Sequence, residues 1–140
     1  MEISSLVRAG KVDELLAAAR REATRFRPMD VPAAVAAGAL LIDTRTDRQR
    51  AEQGDLPGAL VIDRTVLEWR LDPTSPWRIP EATDFEQRII VVCRQGFSSS
   101  LAAASLRSLG LSNATDMIGG VDAWLDAGLP ITSVPADVRY

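Results

Sequence analysis

The chain has 140 residues and a mass of 15.1 kDa, one domain's worth and enough to bury a core. Hydrophobic residues make up 46% and charged residues 25%, the balance of a folded globular protein, and a formal net charge of −3 argues against a nucleic-acid partner held by bulk charge. With no His and one Cys, the chain excludes Cys–His and Ser–His–Asp catalysis, an intrachain disulfide, a CxxC redox pair and a Cys-based zinc site. A free thiol fits a reducing compartment. The longest apolar stretch, 31–42, is broken by Pro32 and Gly38 and is too short to cross a bilayer. The N-terminal residues lack a basic region followed by an apolar core, so no signal peptide is expected. The expectation is a cytoplasmic protein without a membrane partner.

Along the chain, residues 11–26 predict a helix with Val12, Leu15, Leu16 and Ala19 on one face. Its other face, Arg20, Arg21, Glu22 and Arg25, reads as a solvated surface. Residues 26–29 predict a short strand. Asp30 is placed to cap a helix that has Pro32 in its first turn and Gly38 at its end. Residues 39–42 and 59–62 are compact apolar runs read as buried strands, with a helix over 44–53 and a Pro57-Gly58 turn between them. A helix over 64–71 is followed by a proline-rich loop over 72–80. Residues 89–92 give the strongest strand and 98–109 the strongest helix. A strand over 115–118 and a short helix over 121–127, introduced by Gly119-Gly120 and ended by Gly128 and Pro130, complete the pattern. Buried strands without alternation, separated by helices, predict an α/β fold with a parallel sheet covered on both faces.

In such sheets ligands bind beyond the carboxyl ends of the strands. After the strongest strand, that position holds Cys93-Arg94-Gln95-Gly96-Phe97-Ser98. A chain turning from strand to helix in so few residues gathers backbone N–H groups into one concavity, and Gly96 permits the left-handed conformation such a turn needs. This nest, joined to a helix N-terminus, stabilises an anion. The anion closest at hand is the Cys93 thiolate. Ser98, Ser99 and Ser100 are N-cap candidates with hydroxyls to donate. The bland reading makes Cys93 a small buried hydrophobe that finishes a strand.

The segment VVCRQGFSSSLAAASLRSLGL resembles the active-site loop and following helix of rhodanese-like domains. LIDTRTDRQRAEQGDLPGALVI resembles that family's Asp-x-Arg element and Gly-x-x-Pro-Gly-Ala turn, and MIGGVDAWLDAGLPI its Gly-Gly-x-x-x-Trp ending. The resemblance implies a central five-stranded parallel sheet flanked by helices on both faces. It divides the chain into an N-terminal helical extension (1–27), the domain (28–133) and a C-terminal tail (134–140). It implies a sulfurtransferase in which Cys93 carries sulfur as a persulfide, from thiosulfate or another small-molecule or protein-bound donor to a thiol acceptor, with neither cofactor nor metal. Two displacements through one covalent intermediate imply ping-pong kinetics.

Around Cys93, the candidates for substrate contact are Arg94, Gln95, Gly96, Phe97, Ser98 and Ser99, with Arg64 outside the loop. Many family members carry a basic residue late in the loop; here those positions are Phe97, Ser98 and Ser99, leaving Arg94 as the loop's one charge. Phe97 reads either as an apolar rim selecting an organic or protein-bound persulfide or as packing beside the loop. Asp43 and Arg45 read as a structural ion pair near the loop. Trp69 and Trp77 read as packing or loop anchors, and Trp124 as core. Two other functions stay open. Phosphatase or arsenate reductase chemistry wants Arg six positions after the Cys, where this chain has Ser99. A non-catalytic interaction or redox-sensing module would use Cys93 only as an oxidisable thiol.

Overall fold

The computed structural model describes residues 10–140. Helix α1 (Lys11–Arg20) precedes a 3-10 turn (Pro28–Asp30) and α2 (Val31–Ala36). Then come β1 (Leu40–Asp43), α3 (Asp47–Gln53) and β2 (Leu60–Ile62). A 3-10 turn (Arg64–Val66) leads into α4 (Leu67–Leu71). The chain continues through β3 (Ile89–Val92), α5 (Ser98–Ser108), β4 (Ala114–Asp116), α6 (Gly120–Asp126) and β5 (Asp137–Arg139). The five strands form one sheet in the order β4-β3-β1-β2-β5, every pair parallel.

Strands β1 to β3 are buried on both faces, which is why they read as continuous apolar runs. Side chains still alternate. Ile89 and Val91 join Ile42, Ile62, Leu67, Leu71, Ala102, Ala103 and Leu106 under α4 and α5. Ile90 and Val92 join Leu41, Val31, Ala34, Met117, Val121 and Trp124 under α2 and α6. The proline-rich loop adds Ile79, which is fully buried, to the first cluster. Trp124 is core, as expected, with its indole N–H donating to the Pro130 carbonyl. Trp69 and Trp77 differ from expectation: both are exposed, so neither anchors the loop between them.

Several element bounds shift for identifiable reasons. The strand expected over 26–29 is a single bridge from Phe26 to Met117, because Pro28 has no N–H to extend a ladder and starts a 3-10 turn. Helix α3 starts at Asp47 rather than residue 44. Thr44 turns both its amide and its hydroxyl onto the Val92 carbonyl, and Thr46 caps the helix in a box with Gln49. The fifth strand lies in the segment expected as a tail. Asp137, Val138 and Arg139 extend the sheet beside β2, and the Arg139 guanidinium grips Glu81 at 2.6 Å and Asp137 at 2.7 Å.

Those bonds from Arg139 hold the Glu81 and Asp137 carboxyls below their ordinary range, against the smaller opposing effect of burial. A carboxylate with a depressed folded value stabilises the fold above its unfolded pKa, and that stability is lost as pH falls through the folded value. The β5 edge should therefore loosen selectively below about pH 4. Hydrogen exchange should show faster opening of the β2–β5 ladder in acid, while β1–β3 stays protected. Glu81→Gln should blunt this acid response and cost no more than about 1 kcal/mol at neutral pH, since the bridge is partly exposed.

Candidate active site

The loop 93–98 leaves the carboxyl end of β3, a central strand, and runs into α5. The Cys93 side chain is buried at the foot of this loop, 6% exposed. Its Sγ accepts from the Gly96 N–H at 3.1 Å and the Ser99 N–H at 3.4 Å. Both donors aim a positive dipole end at sulfur, one from the turn and one from the first turn of α5. The amides of Arg94, Gln95, Phe97 and Ser98 find no acceptor among the described residues. The loop is thus a cup of backbone donors with one thiol at its base and Gln95, Phe97 and Ser98 exposed at its rim.

The cup is held from α6. The Val121 and Asp122 N–H groups donate to the Cys93 and Arg94 carbonyls at 3.0 and 2.9 Å. This approach requires glycine on both sides. A Cβ on Gly120 would lie 2.5 Å from the Cys93 oxygen, and one on Gly96, at φ +83°, would lie 2.7 Å from the Gly119 nitrogen. Gly96 and Gly120 are therefore what let the loop and α6 meet backbone to backbone.

Below the cup sits a buried carboxylate that sequence reasoning missed. Asp116 of β4, 1% exposed, accepts the Ser99 and Ser100 hydroxyls, each at 2.7 Å, and the Arg25 guanidinium at 2.7 and 3.2 Å. The Ser99 hydroxyl is thus bonded to Asp116, while its amide faces the sulfur. Arg25, expected on a solvated face, is only 15% exposed at its side chain and belongs to this cluster. No local signal marks Asp116 or Arg25, because their contact spans most of the chain.

The remaining candidates separate. Asp43 and Arg45, expected as a structural ion pair, are joined at 2.8 Å and wholly buried, and Arg45 also donates to the Gly54 carbonyl. It fixes the end of β1, which pairs with Val92 next to the loop, to the end of α3. Arg94 does not stand free at the mouth: it bridges to Glu52 at 3.2 Å and faces Asp122 at 3.8 Å. Arg64 is bound at 2.9 Å by Glu68, which also accepts from Ser105 of α5, so its hydrogen bonds do not bring it to the cup. Phe97 is 58% exposed, so its ring stands at the rim rather than packed beside the loop.

Residues 28–127 match the sequence model of the Rhodanese-like domain. The chain belongs to the rhodanese-like family. The thiosulfate sulfurtransferase GlpE of Haemophilus influenzae is 37% identical over 95 residues, covering 67% of this chain and 80% of GlpE. The adenylyltransferase and sulfurtransferase UBA4 of Candida albicans is 34% identical over 87 residues; the match covers 62% of this chain and 19% of UBA4, so this chain spans about a fifth of that protein. Among solved structures, the human single domain sulfurtransferase TSTD1 superposes with a TM-score of 0.63 at 28% identity, covering 74% of this chain and 96% of that one. A Rhodopseudomonas palustris protein of unknown function, described as a possible tyrosine phosphatase, superposes at 0.78 with 28% identity, over 90% of this chain and 97% of its own. That last match reaches beyond the residues of the rhodanese-like family match.

Gly96→Val should test the cup directly. A β-branched residue resists positive φ, and its Cβ would push against the Gly119 backbone. The rate of Cys93 alkylation by iodoacetamide should change on the order of tenfold or more, with a loss of about 1–3 kcal/mol in thermal stability. Wild-type alkylation would show that the loop does not need this glycine.

Proposed function

We propose that the protein is a sulfurtransferase in which Cys93 takes a sulfane sulfur from a donor and passes it to a thiol acceptor. The observation that carries this reading is the sole thiol of the chain at the base of a cup of backbone N–H donors. With thiosulfate, the Cys93 thiolate attacks the outer sulfur. The new S–S bond forms as the old one breaks, sulfite leaves with the bonding pair, and a Cys93 persulfide anion remains. An acceptor thiolate then attacks the terminal sulfur, forms its own persulfide and returns the Cys93 thiolate. Each step is a displacement at sulfur with no net redox change and no general base, which suits a chain without His. The amides of Arg94, Gln95, Phe97 and Ser98, which have no acceptor among the described residues, would receive the negative charge of the terminal sulfur.

The rim bears on the donor. Arg94 is shared with Glu52 and Asp122, and Phe97 lies exposed beside it. This supports an organic or protein-bound persulfide over a small dianion. The family relationship and the GlpE match support sulfurtransferase chemistry over phosphatase chemistry. The position six residues after Cys93 holds Ser99, whose hydroxyl is bonded to Asp116, so the loop lacks the arginine a phosphatase would place there.

Intact-mass measurement after incubation with thiosulfate, a glutathione persulfide or a protein persulfide should show one added sulfur atom, removed by cyanide or a thiol. Cys93→Ser should fold and accept none. The organic persulfide should react faster than thiosulfate. Absence of an adduct with every donor would overturn the sulfurtransferase reading and leave a redox-sensing or interaction module in its place.

A further inference from the structure

Two arginines from the N-terminal segment, both outside the residues that match the family, reach the loop. Arg20, the last residue of α1, donates from Nη2 to the Gly96 carbonyl at 2.7 Å and from Nε to the Ser100 hydroxyl at 3.0 Å. Arg25 places its Nη2 3.3 Å from the same carbonyl while it grips Asp116. The Ser100 hydroxyl lies 3.3 Å from that oxygen as well. One carbonyl of the loop is therefore the meeting point of two guanidinium groups from a helix and turn more than seventy residues away in sequence.

We propose that Arg20 and Arg25 are positioning residues for Cys93, holding the Gly96–Phe97 peptide so that the loop presents donors to sulfur. The proposal deepens the sulfurtransferase reading and shares its site. In a trans peptide the C=O and the following N–H point in opposite directions, and the chain has no cis bond among its described residues. A Gly96 carbonyl fixed toward the arginines turns the Phe97 N–H to the other side, where it has no acceptor among the described residues. Gly96 sits at positive φ and has no Cβ to resist rotation, so its carbonyl needs an external hold. Released, this peptide can flip and present a carbonyl oxygen where an anionic sulfur requires a donor. Guanidinium donors suit the task because charge-assisted bonds are stronger than neutral ones.

The same arginines add charge behind the sulfur. Burial and the neighbouring Arg25 lower the pKa of Arg20, while Asp116 and Cys93 act in the opposite sense. The charged groups around the loop include Arg20 and Arg25 from the N-terminal segment, Asp116 from β4, Arg94 in the loop with its partners Glu52 of α3 and Asp122 of α6, and the mutually paired Asp43 and Arg45 at the end of β1. Arg94, Arg25 and Arg45 each face a carboxylate, whereas Arg20 faces a carbonyl and a hydroxyl. Arg20 is therefore the cation to remove.

The test compares full-length wild type, Arg20→Gln and Arg20→Lys by the pH profile of Cys93 alkylation with iodoacetamide, by melting temperature, and by kcat and KM for transfer from glutathione persulfide. Arg20→Gln should move the midpoint of the alkylation profile upward and lower the rate at neutral pH by about three- to tenfold. Its kcat should fall with little change in KM. Arg20→Lys should restore the midpoint, because the charge returns, yet recover kcat only in part, because one ammonium cannot span the carbonyl and the hydroxyl as the planar fork does. If Arg20→Gln fails to fold, the lysine variant decides the matter: a wild-type kcat in it overturns the proposal. A folded Arg20→Gln with an unshifted profile and wild-type kcat also overturns it. A shifted profile in a protein whose wild type takes up no sulfur would uphold the positioning role and remove the sulfurtransferase reading.

Discussion

The buried carboxylate of Asp116 is the point on which the geometry around the thiol depends. Taking a carboxylate out of water costs several kcal/mol unless its oxygens are fully bonded. Here the two oxygens are satisfied by one guanidinium and two hydroxyls. The partners come from two separate parts of the chain. Arg25 brings in the N-terminal segment, and Ser99 and Ser100 fix the first turn of α5, whose Ser99 amide aims at sulfur. No partner can leave without stranding charge in the interior, so the loop, β4 and the N-terminal segment are locked in mutual register.

A second layer of constraint is purely steric. The Cys93 and Arg94 carbonyls accept from the start of α6, and the contact is so close that Gly96 and Gly120 have no room for a Cβ. Hydrogen bonds thus hold the cup from below and backbone contact holds it from the side. The Asp43–Arg45 pair extends this support to the neighbouring strand and to α3, whose Glu52 receives Arg94. The loop can be short and carry a single catalytic atom because three elements already fix its shape.

The parts of this arrangement visible in the sequence are those with a local signature. Strands β1 to β3 announce themselves as apolar runs, because a parallel sheet covered on both faces has no polar side to alternate with. Cys93, Gly96 and the Gly-Gly pair stand in recognisable order. The Asp43–Arg45 spacing reads as an ion pair because both partners lie two residues apart. What escaped were contacts across the chain. Arg20 and Arg25 lie on what helical periodicity marks as a wet face, and only the tertiary placement of α1 against α5 brings them to the loop. Asp116 sits in a strand three residues long whose other members gave no hint of a buried charge. Counting charges within the loop pointed to Arg94, whereas the folded chain spends Arg94 on Glu52 and brings cations from elsewhere. Strand β5 was illegible for a related reason: Asp-Val-Arg is too short and too polar to look like sheet, and its place is fixed by Arg139 on Glu81.

The pairing of β5 with β2 carries a kinetic consequence. Leu60 meets Asp137 only after more than half of the chain has been drawn into a closed loop. The entropy of that closure must be spent before three residue pairs return anything. Strands β1 and β3, by contrast, enclose a shorter segment and gain a largely buried, mostly apolar ladder at once. The sheet is therefore ordered in time as well as in space, its centre forming the platform and its β5 edge arriving last. During that interval the β2 edge stands open, with its backbone donors and acceptors free to meet another chain.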